Sequence, residues 1–83
     1  MNTAYIVAAR RTPGGRRQGK LSGWHPADLA AVALNAVVQD TGIDPAAIED
    51  VVLGCVSQGG EQSFNIARNA VLAAGFPESV PAT

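Results

Sequence analysis

Cys55 is the only thiol in the sequence, and a thiol becomes a strong nucleophile once it loses its proton. That requires a helix N-terminus or a nearby base to favour the thiolate, together with access to substrate. Cys55 instead lies within V-V-L-G-C-V, where a small, apolar-like side chain fits a buried strand. It is expected in the core. His25, the lone histidine, precedes Pro26 at a helix start and has no carboxylate or cysteine beside it in sequence. Acid–base work by His25 is not expected. The sequence shows no metal-ligand spacing, so no metal is expected.

Five of the six basic residues, Arg10, Arg11, Arg16, Arg17 and Lys20, fall in one glycine-bearing stretch. Such a cluster is able to meet a phosphate-bearing ligand or an acidic surface. A solvated basic loop is the simpler reading. The glycines do not make a dinucleotide site, because Gly14-Gly15-Arg16-Arg17-Gln18-Gly19 is not G-x-G-x-x-G. Roughly fifteen residues also separate the first apolar run from the helix at Pro26, too many for that tight turn.

A more specific pattern follows the second apolar run. Residues 54–68 read G-x-V-x-Q, then a glycine loop, then N-x-A-R at a helix start. Asn65 is expected to cap that helix. Arg68 projects from its first turn, next to the positive end of the helix dipole. A cation there calls for an acidic or carbonyl partner; the alternative is an arginine exposed to solvent.

These residues are positioned by alternating elements. Residues 4–9 form a short continuous apolar run, the pattern of a strand covered on both faces in a parallel sheet. Pro26 suits a first helical position, and Leu29, Val32, Ala33, Ala36 and Val37 recur at the spacing of one helical face. Gly42 closes that helix, and Asp44-Pro45 starts a turn or short helix through Ile48. Residues 51–56 read as a second strand and 57–63 as a polar loop. In the next helix, Ile66, Ala70, Val71 and Ala74 face one way, and Gly75-Phe76-Pro77 ends it. The order β-α-β-α predicts an α/β fold with a parallel sheet. Residues 1–83 are expected to be a truncated domain, stopping as a third strand begins at Val80-Pro81-Ala82-Thr83.

Composition narrows the class. An apolar content of 47% with 16% charge reads as globular, and a net charge of −1 gives no reason to expect nucleic acid or an anionic membrane. A chain of this size buries only roughly 60–65% of its unfolded surface, so a lone α/β layer would be marginal. One cysteine excludes an internal disulfide and suits a reducing cytosol. No secretory signal and no apolar stretch of about 20 residues is present. A cytoplasmic protein is expected.

Taken together, Ala8-Ala9-Arg10-Arg11-Thr12-Pro13-Gly14, the helix at Asp28-Leu29, Gly54-x-Val56-x-Gln58, Asn65-x-Ala67-Arg68 and Ala74-Gly75-Phe76-Pro77-x-x-Val80-Pro81-Ala82-Thr83 resemble the N-terminal end of a thiolase, an acetyl-CoA acyltransferase. The R-T-P-x-G turn and the N-x-A-R helix start set thiolases apart from the ketoacyl synthases that share the fold. Two features depart from the common pattern: Gly15-Arg16-Arg17 stands where Gly-Lys is usual, and Ile66 stands where proline follows the asparagine.

The resemblance implies a protein several times longer, with two β-α-β-α-β halves, acting as a homodimer or homotetramer. It implies acyl-CoA:acetyl-CoA C-acyl transfer in fatty acid metabolism: β-oxidation-type thiolysis of 3-ketoacyl-CoA, or acetoacetyl-CoA formation. Coenzyme A is then a substrate and not a cofactor. The family's nucleophilic cysteine lies in a C-G-S motif beyond the third strand, and its histidine, second cysteine and oxyanion groups lie further downstream. No catalytic residue is therefore expected within residues 1–83, which alone would be inactive. Glu61-Gln62-Ser63 hints at a degradative, lipid or sterol-type branch. The loop from Gln58 to Asn65 would lie toward the subunit interface and back the catalytic pocket, making Gln58, Asn65 and Arg68 interface or site-supporting residues. The alternative is a non-catalytic α/β interaction fragment.

Overall fold

The computed structural model describes residues 3–15, 17–56, 59–62 and 64–83. Two α-helices organise it: α1, Pro26–Thr41, and α2, Ile66–Ala73. Single 3₁₀ turns, Pro45–Ala47 and Gly60–Gln62, interrupt the connection between them.

Local chemistry sets the helix ends. Pro26 occupies the first turn of α1, where its missing N–H leaves nothing unpaired. Gly42 closes that helix in the left-handed region at φ 67°, and its N–H donates to the Val38 carbonyl at 2.9 Å. Asp44 caps the following 3₁₀ turn by accepting from the Ala46 N–H at 3.0 Å. α2 ends in a Schellman arrangement: Gly75 at φ 81° lets the Phe76 N–H reach the Val71 carbonyl at 3.2 Å. Phe76 then folds back onto Val71 and is buried with it.

α1 packs on α2, and the alanines Ala27, Ala31, Ala67 and Ala70 are buried. Side chains this small suit a close approach of two helix backbones. Val71, Phe76 and Val80 form the core, with Leu34, Val38, Ile48, Val51, Ala74 and Ala82 packed against it. The buried row on α1 is thus Ala27, Ala31, Leu34 and Val38, which is not the expected row. Val32 is exposed, and Val37 turns toward Val7 and Ala8 across a separate cleft. The helix is apolar on more than one side, so its repeat left the phase of the inward face open.

The sheet is the second difference from expectation. Among the described residues the only pairing is a parallel bridge between Val51 and Ala82. Three hydrogen bonds make it: Val51 N–H to the Pro81 carbonyl, Leu53 N–H to the Thr83 carbonyl, and Thr83 N–H to the Val51 carbonyl, at 2.8–3.0 Å. Residues 4–9 form no ladder. A parallel strand exists only through its neighbours, and among the described residues none pairs with this run. Tyr5, Ile6 and Val7 are 81–90% exposed. Within 51–56, Val51, Leu53 and Cys55 are partly covered while Val52 and Val56 face solvent. The two-face burial expected of both runs is therefore realised on one face of the second run and, in the first, only as partial cover at Ala8.

Candidate functional site

The densest polar geometry lies at the first turn of α2. Phe64 and Asn65 both take left-handed backbone conformations, each at φ 57°. Asparagine tolerates that region, whereas for phenylalanine it is a strained choice. In this pose the Asn65 Oδ1 accepts the Arg68 N–H at 3.1 Å, capping the helix. Its Nδ2 donates to the Ala82 carbonyl at 3.0 Å.

Arg68 completes the arrangement. Its Nη1 donates to the Val80 carbonyl at 2.7 Å and its Nη2 to the Glu78 carbonyl at 2.9 Å. The guanidinium stands at the positive end of the helix dipole, a position that disfavours a cation. Two carbonyl dipoles at charge-assisted distances offset that penalty. The acceptors anticipated for Arg68 are thus main-chain carbonyls of its own chain. Carbonyls 78, 80 and 82 face α2, while carbonyls 81 and 83 face Val51 and Leu53. The segment is held along both edges.

Beside this clasp lies a cleft of about 450 Å³ lined by Val52, Leu53, Cys55, Gln62, Asn65, Ile66 and Thr83. Cys55 is half-buried, and its Sγ donates to the Gln62 Oε1 at 3.3 Å. The cysteine therefore reaches a polar cleft wall and is not sealed in the core as its sequence context suggested. Its neighbours supply a hydrogen bond and apolar packing. Gln62 was not foreseen as its partner, since that contact crosses a loop and leaves no periodic signal.

Asn65 and Arg68 are brought together, whereas Gln58 lies outside the described residues, as does Arg16. In the basic stretch, Arg10 pairs with Asp40 of α1 at 3.0 Å, both side chains being substantially exposed. Arg11, Arg17 and Lys20 face solvent. His25 proves to be the N-cap of α1, its Nδ1 accepting the Ala27 N–H at 3.1 Å. Its position before Pro26 was the signal for that role. Among the described residues, no three His, Cys, Asp or Glu side chains gather as a metal site would require, and no helix is long and apolar enough to cross a membrane.

Residues 4–83 match the family described as the thiolase N-terminal domain. Across 81 residues the chain is 52% identical to the steroid 3-ketoacyl-CoA thiolase FadA6 of Mycobacterium tuberculosis, covering 98% of this chain and 20% of that protein. It is 51% identical over 78 residues to a beta-ketoadipyl-CoA thiolase of Pseudomonas aeruginosa, covering 93% and 20% respectively. With a 3-ketoacyl-CoA thiolase of Pseudoalteromonas translucida the identity is 45% over 84 residues, covering 99% and 22%. The chain spans about a fifth of the length of the curated relatives it matches.

Proposed function

Because the chain belongs to the thiolase family by its N-terminal domain, we propose that its parent protein is an acyl-CoA:acetyl-CoA C-acyltransferase working on 3-ketoacyl-CoA. The observation that carries this reading is the match over residues 4–83, which takes in both the R-T-P turn and the N-x-A-R helix start. Relatives named for steroid 3-ketoacyl-CoA and for beta-ketoadipyl-CoA favour the degradative direction.

In that reaction a cysteine thiolate attacks the ketone carbon of the substrate. The bond between the ketone carbon and C2 breaks, leaving an acyl thioester on the enzyme. The departing acetyl-CoA carbanion takes a proton from an acid group, while hydrogen-bond donors hold the oxyanion. The thiol of free CoA then gives up its proton and accepts the acyl group. Residues 1–83 supply none of the reacting groups. Their part is to complete the fold behind the site as a β-α-β-α unit, with residues 4–9 and 51–56 as strands once neighbouring backbone lies beside them. The parallel pairing of residues 51–53 with 81–83 across α2 supports that layout. The full-length protein is cytoplasmic and a homodimer or homotetramer in this reading.

The test is CoA-dependent cleavage of 3-ketoacyl-CoA substrates by the full-length protein. Loss of ketoacyl absorbance that requires free CoA is expected. No cleavage of short-chain, dicarboxylic or steroid 3-ketoacyl-CoA would overturn the reading.

A further inference from the structure

We propose that Asn65 and Arg68 are positioning residues that set where the chain leaves Thr83, and hence where a reacting thiol beyond it stands. This rests on the thiolase reading, which puts the nucleophile on the chain that continues from residue 83. The inference comes from how residues 78–83 are held. One edge is fixed by the bridge to Val51 and Leu53, and the other by three side-chain donors on alternate carbonyls. All three donors come from the N-cap and first turn of α2, which ties the outgoing segment to the helix.

Two features set this apart from ordinary helix capping. An N-cap normally takes extended backbone, whereas Asn65 is left-handed at φ 57°, ψ 78°, with Phe64 also left-handed and its ring exposed to solvent. Strain of this kind persists where surrounding structure requires it. Here it lets one asparagine cap the helix with Oδ1 and hold Ala82 with Nδ2. The second feature is the cation at the unfavourable helix end, committed to two carbonyls at 2.7 and 2.9 Å. Thr83 itself lines the cleft with Cys55 and Gln62, so a shift of the segment would move one wall of that cleft. A displacement of about 1 Å at supporting residues is enough to lower turnover by about a hundredfold.

The test uses the full-length protein with Arg68→Ala and Asn65→Asp. The second variant keeps the capping oxygen and replaces the donor to Ala82 with a charged oxygen that cannot donate, so it retains the helix cap if Arg68→Ala does not fold. Steady-state kinetics on the best 3-ketoacyl-CoA and amide hydrogen exchange are both measured. For each variant we expect kcat to fall about tenfold or more with KM little changed, a loss confined to transition-state stabilisation. Exchange should quicken at the Leu53 and Thr83 amides and stay unchanged at mid-α1 amides such as Ala33. Added guanidinium, well below denaturing concentration, should restore part of the kcat of Arg68→Ala and none of that of Asn65→Asp. Wild-type kcat in both variants would overturn the proposal, as would faster exchange spread uniformly through α1. If the unmodified protein cleaved no 3-ketoacyl-CoA, the thiolase reading itself would fail; unchanged Leu53 and Thr83 exchange in the variants would then refute the clasp separately.

Discussion

Cys55 tests how far residue type alone indicates chemistry. A lone thiol in a cleft invites a nucleophilic reading, yet its Sγ donates to the Gln62 amide oxygen, in a cleft whose walls include Val52, Leu53 and Ile66. Replacing Cys55 with Ser keeps a donor for Gln62 and should leave kcat of the full-length protein unchanged. Abolished turnover in a folded Cys55→Ser variant would return it to the reaction. Asn65→Ala, in contrast, removes both the helix cap and the donor to Ala82. It should lower stability by about 1–2 kcal/mol, measured by denaturant unfolding. The cap was legible from N-x-A-R before a helical run, because few side chains satisfy helix N–H groups. The acceptors of Arg68 were not, since every residue offers a carbonyl and residue identity at 78 and 80 carries no mark of it. The cap on α1 was partly legible: His25 precedes Pro26 at a helix start, and its Nδ1 does the work usually done there by an aspartate.

At the scale of elements, the sequence was most readable where a residue type is physically constrained. Pro26, Gly42, Asp44-Pro45 and Gly75-Phe76-Pro77 each stand at the boundary expected of them. Gly42 provides a direct check. A Cβ there would meet nothing within 4 Å, so only the left-handed backbone at φ +67° opposes a side chain. Gly42→Ala should therefore lower stability by about 1–2 kcal/mol despite the open space, seen as a lower denaturation midpoint. No loss would show that α1 ends differently in solution. The Arg10–Asp40 pair should matter less. With side chains 55% and 40% exposed, its removal by Asp40→Asn should change stability by less than about 1 kcal/mol, and less still at high salt. The inward face of α1 was less readable, because an alanine- and valine-rich helix offers more than one apolar row. Strands were less readable still. An apolar run states that it must be covered, and only a neighbouring backbone makes it a ladder.

At the scale of the molecule, the apolar surface left in view is the governing fact. Tyr5, Ile6, Val7, Val52, Val56 and Phe64 are each at least 80% exposed. The radius of gyration, 13.6 Å, exceeds the about 12 Å of a compact chain of this length. Residues 1–83 expressed alone should accordingly bind a hydrophobic dye and associate, as exposed apolar patches and open strand edges do. A monodisperse monomer that unfolds in one cooperative transition would contradict that expectation. The central claim is that these residues support a thiolase site without containing it. It is tested most directly by assaying the full-length protein and residues 1–83 side by side with 3-ketoacyl-CoA and free CoA, following loss of ketoacyl absorbance. CoA-dependent cleavage by the full-length protein is expected, and none by residues 1–83. Turnover by residues 1–83, or none by the full-length protein on any 3-ketoacyl-CoA, would contradict it.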